Sequence, residues 1–356
     1  MEYLFFSYLL WPLLIIGIIG FFIVRALRHH GGAKSGSWYE QTFLSKENFA
    51  SELFLLLFLF FMAVTLQAFN RDFHEPFAWE TLILVSSLIG LGLAYWLRLT
   101  LTFTFSIFGL LTWWTVKMVY WLDLPGASIG GAPIVVGFVV IFLILYALGR
   151  LHEHEFPQQR FAPIYEFLGL ISTIILLMIF SSQWGLETIS SLTKDSTILS
   201  VWQIGVMLTV LFVSLIIIAA YALLKRALSL GELVSMAVLV VVFGSMLVIG
   251  QQDVFVNGSY PRSLTAQGIV WAIVFNGLAF FELLGLMLLG YKRKEPRIVN
   301  IGSLFLFILI FVKYFDWFFT FLDKSLFFIS AGILFFAIGW LMERGRKYML
   351  ATMQKL

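Results

Sequence analysis

Cysteine is missing altogether from this chain of 356 residues. Disulfides, thiolate nucleophiles, thiolate metal sites and iron–sulfur clusters are thereby excluded, and the composition carries no information on redox compartment. Charge is the second scarcity. Only 12% of residues are Asp, Glu, Lys or Arg, about half of what a soluble domain carries. Those few charges cluster between long apolar runs instead of being interleaved at helical spacing. Against this stand 61% hydrophobic and 18% aromatic residues and a mean hydropathy of +0.96, more apolar surface than a water-soluble core can hide. The expected solvent is lipid.

A hydrocarbon layer about 30 Å thick takes roughly 20 apolar residues of helix, and in lipid only a helix satisfies its own backbone. The runs of suitable length are Leu4 to Val24, Leu53 to Phe69, Thr81 to Leu97, Thr100 to Val119, Pro133 to Leu148 and Ile164 to Ser181. They continue with Gln203 to Leu223, Leu233 to Ile249, Gln267 to Leu289, Ile298 to Trp317 and Leu326 to Leu341. The fold expected is all-α, a polytopic transmembrane helical bundle of about eleven spans. Between Thr81 and Val119 the only charged interruption before Lys117 is Arg98, which predicts a tight hairpin turning at that residue.

Orientation follows from basic residues on alternate connections. One side holds Arg25, Arg28, Lys34, Lys46, Arg98, Arg150, Arg160, Lys225, Arg226, Lys292, Arg293, Lys294, Arg297 and the tail Arg344, Arg346, Lys347 and Lys355. The other holds Arg71, Lys194, Arg262 and Lys324. The first side is expected in the cytoplasm, with the N-terminus outside and the C-terminus cytoplasmic. The net charge of +3 sits in these short loops, so no nucleic-acid partner is needed to explain it. The organisation expected is an anchor helix over 1–25, retained because Arg25 follows it and no basic residue precedes it. A Gly/Ser linker over 26–52, a main bundle over 53–343 and a basic tail over 344–356 complete it. The outer connection from Gln183 to Trp202 is too short for a core of its own.

Ionisable groups deep in lipid are costly and mark sites by default. Glu282 lies about 12 Å along its run from Gly290. With Asn276 nearby, and Gly277 and Gly285 to admit a neighbouring helix, it reads either as a proton or cation site or as a carboxyl bonded to an adjacent helix, with Arg98 or Arg150 as possible counter-ions. Lys313 and Asp316 share a face near the outer end of the tenth run, either as a polar site reached also by Lys117 or as an interfacial ion pair. His152, Glu153, His154 and Glu155 lack the spacing that sets two metal ligands on one helix face, and no metal or cofactor is expected. Asn257, Gly258 and Ser259 form a glycosylation triplet that is common by chance. Trp113, Trp114, Trp121 and Trp317 fit headgroup belts. A faint echo, Gly149 with Gly169 and Gly290 with Gly302 around basic loops, hints at a parallel repeat.

Gly290-Tyr291-Lys292-Arg293, Arg297-Ile298-Val299-Asn300-Ile301-Gly302, Lys313-Tyr314-Phe315-Asp316, Asp323 to Phe328, Gly332 and Glu343-Arg344-Gly345-Arg346 resemble a bacterial family of predicted membrane proteins, domain-of-unknown-function family 2157. Leu148-Gly149-Arg150-Leu151-His152 with Phe161-Ala162 is similar to an earlier segment of it. The resemblance covers about a third of the chain. Members of that family usually begin with a short soluble helical segment, where this chain begins with an apolar run and a Gly/Ser linker. The resemblance implies a many-helix protein of a bacterial inner membrane, and no activity, substrate or catalytic residue.

Three functions remain open on the residues. The lack of reaction motifs best fits a non-catalytic accessory, sensor or scaffold whose partners are the bilayer and other membrane proteins. A transporter of small molecules, ions or lipids comes next. Last is an enzyme on a lipid-linked substrate, for which Asp72, His74, Glu75 and Glu80 are an outer acidic group that reads equally well as a solvated loop. Reporter tags after Lys355 or in the His152 loop should report cytoplasm, and tags after Lys194 or Arg262 the outside; a C-terminus found outside would overturn this topology.

Overall fold

The computed structural model describes residues 46–73, 77–122, 130–153, 158–193, 202–256, 263–318 and 324–355. The expected anchor run Leu4 to Val24, most of the Gly/Ser linker and the Asn257 triplet lie outside them. The described residues are helical apart from turns and one isolated bridge, Phe255 with Leu264. The helices are α1 (Lys46–Asp72), α2 (Trp79–Leu97), α3 (Thr100–Leu122), α4 (Ala132–His152), α5 (Ala162–Ser181), α6 (Gln183–Leu192), α7 (Trp202–Leu224), α8 (Leu230–Ser245), α9 (Ala266–Arg293), α10 (Pro296–Phe318) and α11 (Lys324–Lys355).

Every expected run from Leu53 onward falls on one of them. Eight are long and apolar enough to cross a membrane. The two expected spans outside that set have physical reasons. α8 stops at Ser245 and is 16 residues long, and α3 dilutes its apolar residues with five threonines, one serine, three tryptophans and Lys117. α6 was not anticipated. It is a short helix within the expected outer connection, capped by Ser182, whose hydroxyl accepts from Gly185 N at 3.2 Å, and it buries Leu186 and Ile189 while exposing Trp184.

The chain divides into two compact units. The first comprises α1 to α3, the end of α4, the start of α5, and α7. Its core is aromatic: Phe103 packs its ring 4.5 Å from Phe161 and 4.7 Å from Tyr165. Trp114, expected at an interface, is buried in the protein at 3% exposure. α2 and α3 turn at Arg98, in the left-handed conformation (φ 58°), as the lone charge there predicts. Close packing follows from paired small residues, because a Cβ at Gly90 would meet Ser106 Oγ at 2.4 Å and one at Gly109 would meet Ser87 Oγ at 2.1 Å. In a lipid solvent such small-residue seams supply the attraction that apolar bulk cannot. Glu52 of α1 accepts from Leu101 N (3.1 Å) and Thr100 Oγ1 (3.2 Å), satisfying the open N-terminus of α3.

The second unit comprises the start of α4, the rest of α5, α6, and α8 to α11. Phe180, Phe243 and Phe275 meet with centroids 5.2 to 5.5 Å apart. Thr265 caps α9 through Gly268 N (3.0 Å), and α9 turns into α10 at Lys294 (φ 59°). Gly277 and Gly285, expected to admit a neighbouring helix, face open space among the described residues. The close approaches fall elsewhere on α9 and α10. A Cβ on Gly290 would stand 2.8 Å from Val299 N, and one on Gly302 would stand 2.7 Å from Met287 Cγ.

The echo noted in the sequence has a geometric counterpart. A Cβ on Gly149 would stand 2.8 Å from Glu166 N, and Glu166 and Val299 each lie three residues before the second glycine of their hairpin, Gly169 and Gly302. Gly290→Val should lower the melting temperature by an amount equivalent to about 1–3 kcal/mol through overpacking. Gly92→Ala, where nothing lies within 4 Å, should be neutral or stabilising by up to about 1 kcal/mol. Thermal unfolding in detergent reads both.

Candidate functional site

The polar groups set into apolar helices are the candidate site, and each begins as a residue that a lipid-facing position would penalise. In the second unit, Glu282 projects from α9 and accepts from Ser235 Oγ of α8 at 2.6 Å. Among the described residues no Lys or Arg stands at ion-pair distance from it. Of the two arginines suggested by the sequence, Arg150 is held by Glu166 (3.0 Å) and Glu153 (2.8 Å), and Arg98 forms the turn between α2 and α3, where its carbonyl accepts from Arg160 Nη1 (3.0 Å). One turn from Ser235 on α8, buried Glu232 forms an ion pair with Arg293 at the end of α9. Two ties thus join α8 to α9, and neither Glu232 nor Ser235 was singled out from the sequence. Their i, i+3 spacing was the available signal.

Asn276 and Lys313, read separately from the sequence, line one cleft. It is an open space of about 330 Å3 walled by Asn276 and Phe280 of α9, Leu309, Ile310, Lys313 and Tyr314 of α10, and Leu334 of α11. The polar groups in its walls are engaged by the protein. Lys313 Nζ donates to the Ser181 carbonyl at the end of α5, where a helix leaves its last carbonyls open. The Tyr314 hydroxyl lies 2.5 Å from Ser330 Oγ, and Asn276 Nδ2 donates to Ala272 O at 2.6 Å. Asp316 lies on α10 one turn beyond Lys313, and its side chain is outside the described residues.

In the first unit, Lys117 has its own carboxylate. Its Nζ stands 3.1 Å from Glu80 Oε1 and over the rings of Tyr120 and Trp121 at 5.1 and 5.5 Å. Glu80 is 5% exposed, so the reading of this residue as part of a solvated acidic loop is corrected: it is buried at the start of α2 and paired with the half-buried Lys117 ammonium. His74 and Glu75 lie outside the described residues.

His152, expected in a polar loop, is the last residue of α4. Its Nδ1 faces the Leu148 carbonyl at 2.7 Å and so carries the proton there, leaving Nε2 to the Tyr95 hydroxyl at 3.1 Å, which in turn meets the Tyr165 hydroxyl at 2.8 Å. The imidazole thus serves a helix-joining chain through α2, α4 and α5. His154 and Glu155 are outside the described residues, and among the described residues no group of three His, Asp or Glu is placed to hold a metal ion.

Comparison of the chain with protein-family models, curated proteins and solved structures found no match. The functional reading therefore rests on these residues. Glu282→Gln keeps the size and much of the bonding of a neutral carboxyl, so it should melt close to the parent. Glu282→Leu should lose about 1–2 kcal/mol with the Ser235 bond. A Gln variant that melts as early as the Leu variant would mean that the carboxyl is charged and matched to a cation.

Proposed function

We propose that this chain is a non-catalytic accessory, sensor or scaffold component of a bacterial inner membrane, crossing it about eleven times with its N-terminus outside and its C-terminus in the cytoplasm. The resemblance to domain-of-unknown-function family 2157, on the residues around Gly290, Gly302 and Lys313, points to the same kind of membrane. One observation carries the non-catalytic reading. The ionisable groups embedded in the described apolar helices are engaged between elements of the protein: Glu52 at the start of α3, Glu80 with Lys117, Glu232 with Arg293, Glu282 with Ser235, and Lys313 with the end of α5. A catalytic or ion-conducting group needs access to a reacting or moving species. Here the same groups fasten helices.

The partners proposed are lipid and other membrane proteins. α1 and α11 support this, since Phe54, Phe60, Val64, Phe328, Ile333, Phe336 and Trp340 stand exposed along them. Apolar faces of that extent mark contact with lipid or protein. Transport of a small molecule, ion or lipid is the second reading, favoured by the open cleft on α9 to α11 and by the glycine contact that two hairpins share.

Crosslinking in the native membrane, followed by mild solubilisation, distinguishes the two. An accessory should migrate in a complex larger than its own 40.7 kDa and its detergent, and purified protein in vesicles should carry no proton or ion flux above empty vesicles. A monomer after crosslinking, together with a flux that Lys313→Met abolishes, would replace the accessory reading with the transport one.

A further inference from the structure

Among the described residues His152 is the one histidine, the residue type that ordinarily changes charge between pH 5 and 8. Its ring closes a chain of hydrogen bonds that runs from the end of α4 to α2 and on to α5. Aromatic rings wall that chain in. Tyr95 lies 4.9 Å from Phe161 and 5.7 Å from Phe103, and the imidazole lies 5.4 Å from Tyr165. Phe103, Phe161 and Tyr165 are all buried.

The chain has a direction. Nδ1 faces the Leu148 carbonyl, which can only accept, so Nδ1 carries a proton in either charge state of the ring. In the neutral ring Nε2 is an acceptor, the Tyr95 hydroxyl donates to it, and the Tyr165 hydroxyl donates to Tyr95. Every proton then has an acceptor. A proton added at Nε2 makes that nitrogen a donor to the Tyr95 oxygen. Only one hydroxyl can donate across the contact between Tyr95 and Tyr165, so the other loses its acceptor, and no other described group supplies one. Inside the aromatic wall a stranded donor is unfavourable.

The charged groups on the elements around the ring are Glu52 at the start of α3, Arg98 at the end of α2, Arg150 and Glu153 beside it on α4, Arg160 just before α5, and Glu166 on α5. Arg150 pairs with both Glu153 and Glu166, Arg160 donates to the Arg98 carbonyl, and Glu52 accepts from Leu101 N. Together with the carbonyl end of α4 they set the pH at which the imidazole takes its proton. The hydrogen bonds decide what that proton does.

We propose that His152, Tyr95 and Tyr165 form a proton-operated latch on the ends of α2, α4 and α5, closed while the imidazole is neutral and loosened at the start of α5 when Nε2 takes a proton. The latch goes beyond the accessory reading and stands whether the chain is an accessory or a transporter.

The test uses the full-length protein in phospholipid nanodiscs, with backbone hydrogen exchange read at pH 8 and pH 5 after correction for the intrinsic rate. Amides of residues 164–168, at the start of α5, should lose about three- to tenfold of their protection at pH 5, the factor expected of one hydrogen bond. Those in the middle of α7, which carries no charged residue, should stay unchanged. His152→Gln keeps an acceptor oxygen and cannot titrate, so its protection should be the same at both pH values. Tyr95→Phe cuts the chain, serves if that variant fails to fold, and should show the same independence of pH. Protection in the parent that does not change between the two pH values would overturn the latch. A loss at pH 5 that persists in either folded variant would assign the response to carboxylates such as Glu153 and Glu166 and overturn it equally.

Discussion

A charged or hydrogen-bonding side chain on an apolar helix has to find its partner on another part of the protein, because lipid offers none. Glu80 reaches Lys117 across 37 residues of sequence, Glu282 reaches Ser235 across 47, and Arg293 reaches Glu232 across 61. In a medium where apolar side chains pack as readily against lipid as against each other, these ties and the small-residue seams decide which helices are neighbours. The aromatic clusters around Phe103 and Phe275 then fill the space that those choices enclose.

The ends of helices obey the same requirement through the backbone. Glu52, Ser182 and Thr265 each accept from amides in a first turn, and Lys313 donates to a last-turn carbonyl. Lys313 thus does for the end of α5 what Glu52 does for the start of α3. Both residues look like isolated charges in the sequence, and both complete a helix at some distance along the chain.

Much of the fold is legible because hydropathy and turn chemistry are local. The expected runs from Leu53 onward fall on helices, Arg98 turns a hairpin, and Gly290 and Gly302 mark a close approach. Neighbour identity is not legible. Helices that face lipid on one side and protein on the other are apolar all round, so no polar stripe reveals which face is which. That is why Gly277 and Gly285 looked like contact points and face open space, and why Lys117 was linked to Lys313 when its carboxylate is Glu80. The one short helix with a distinct polar face, α6, was missed for the opposite reason: it is too brief and too polar to register as a run.

Among the described residues, three turns between consecutive helices pass through the left-handed conformation at a residue other than glycine. They are Arg98, Arg226 and Lys294, with φ of 58°, 59° and 59°. A side chain in that conformation costs about 1–2 kcal/mol relative to the right-handed region, which glycine would avoid. All three are basic residues on short connections between apolar helices. Each of these turns therefore carries a long charged side chain in a backbone conformation that glycine would relax, and the chain keeps the charge at that conformational cost.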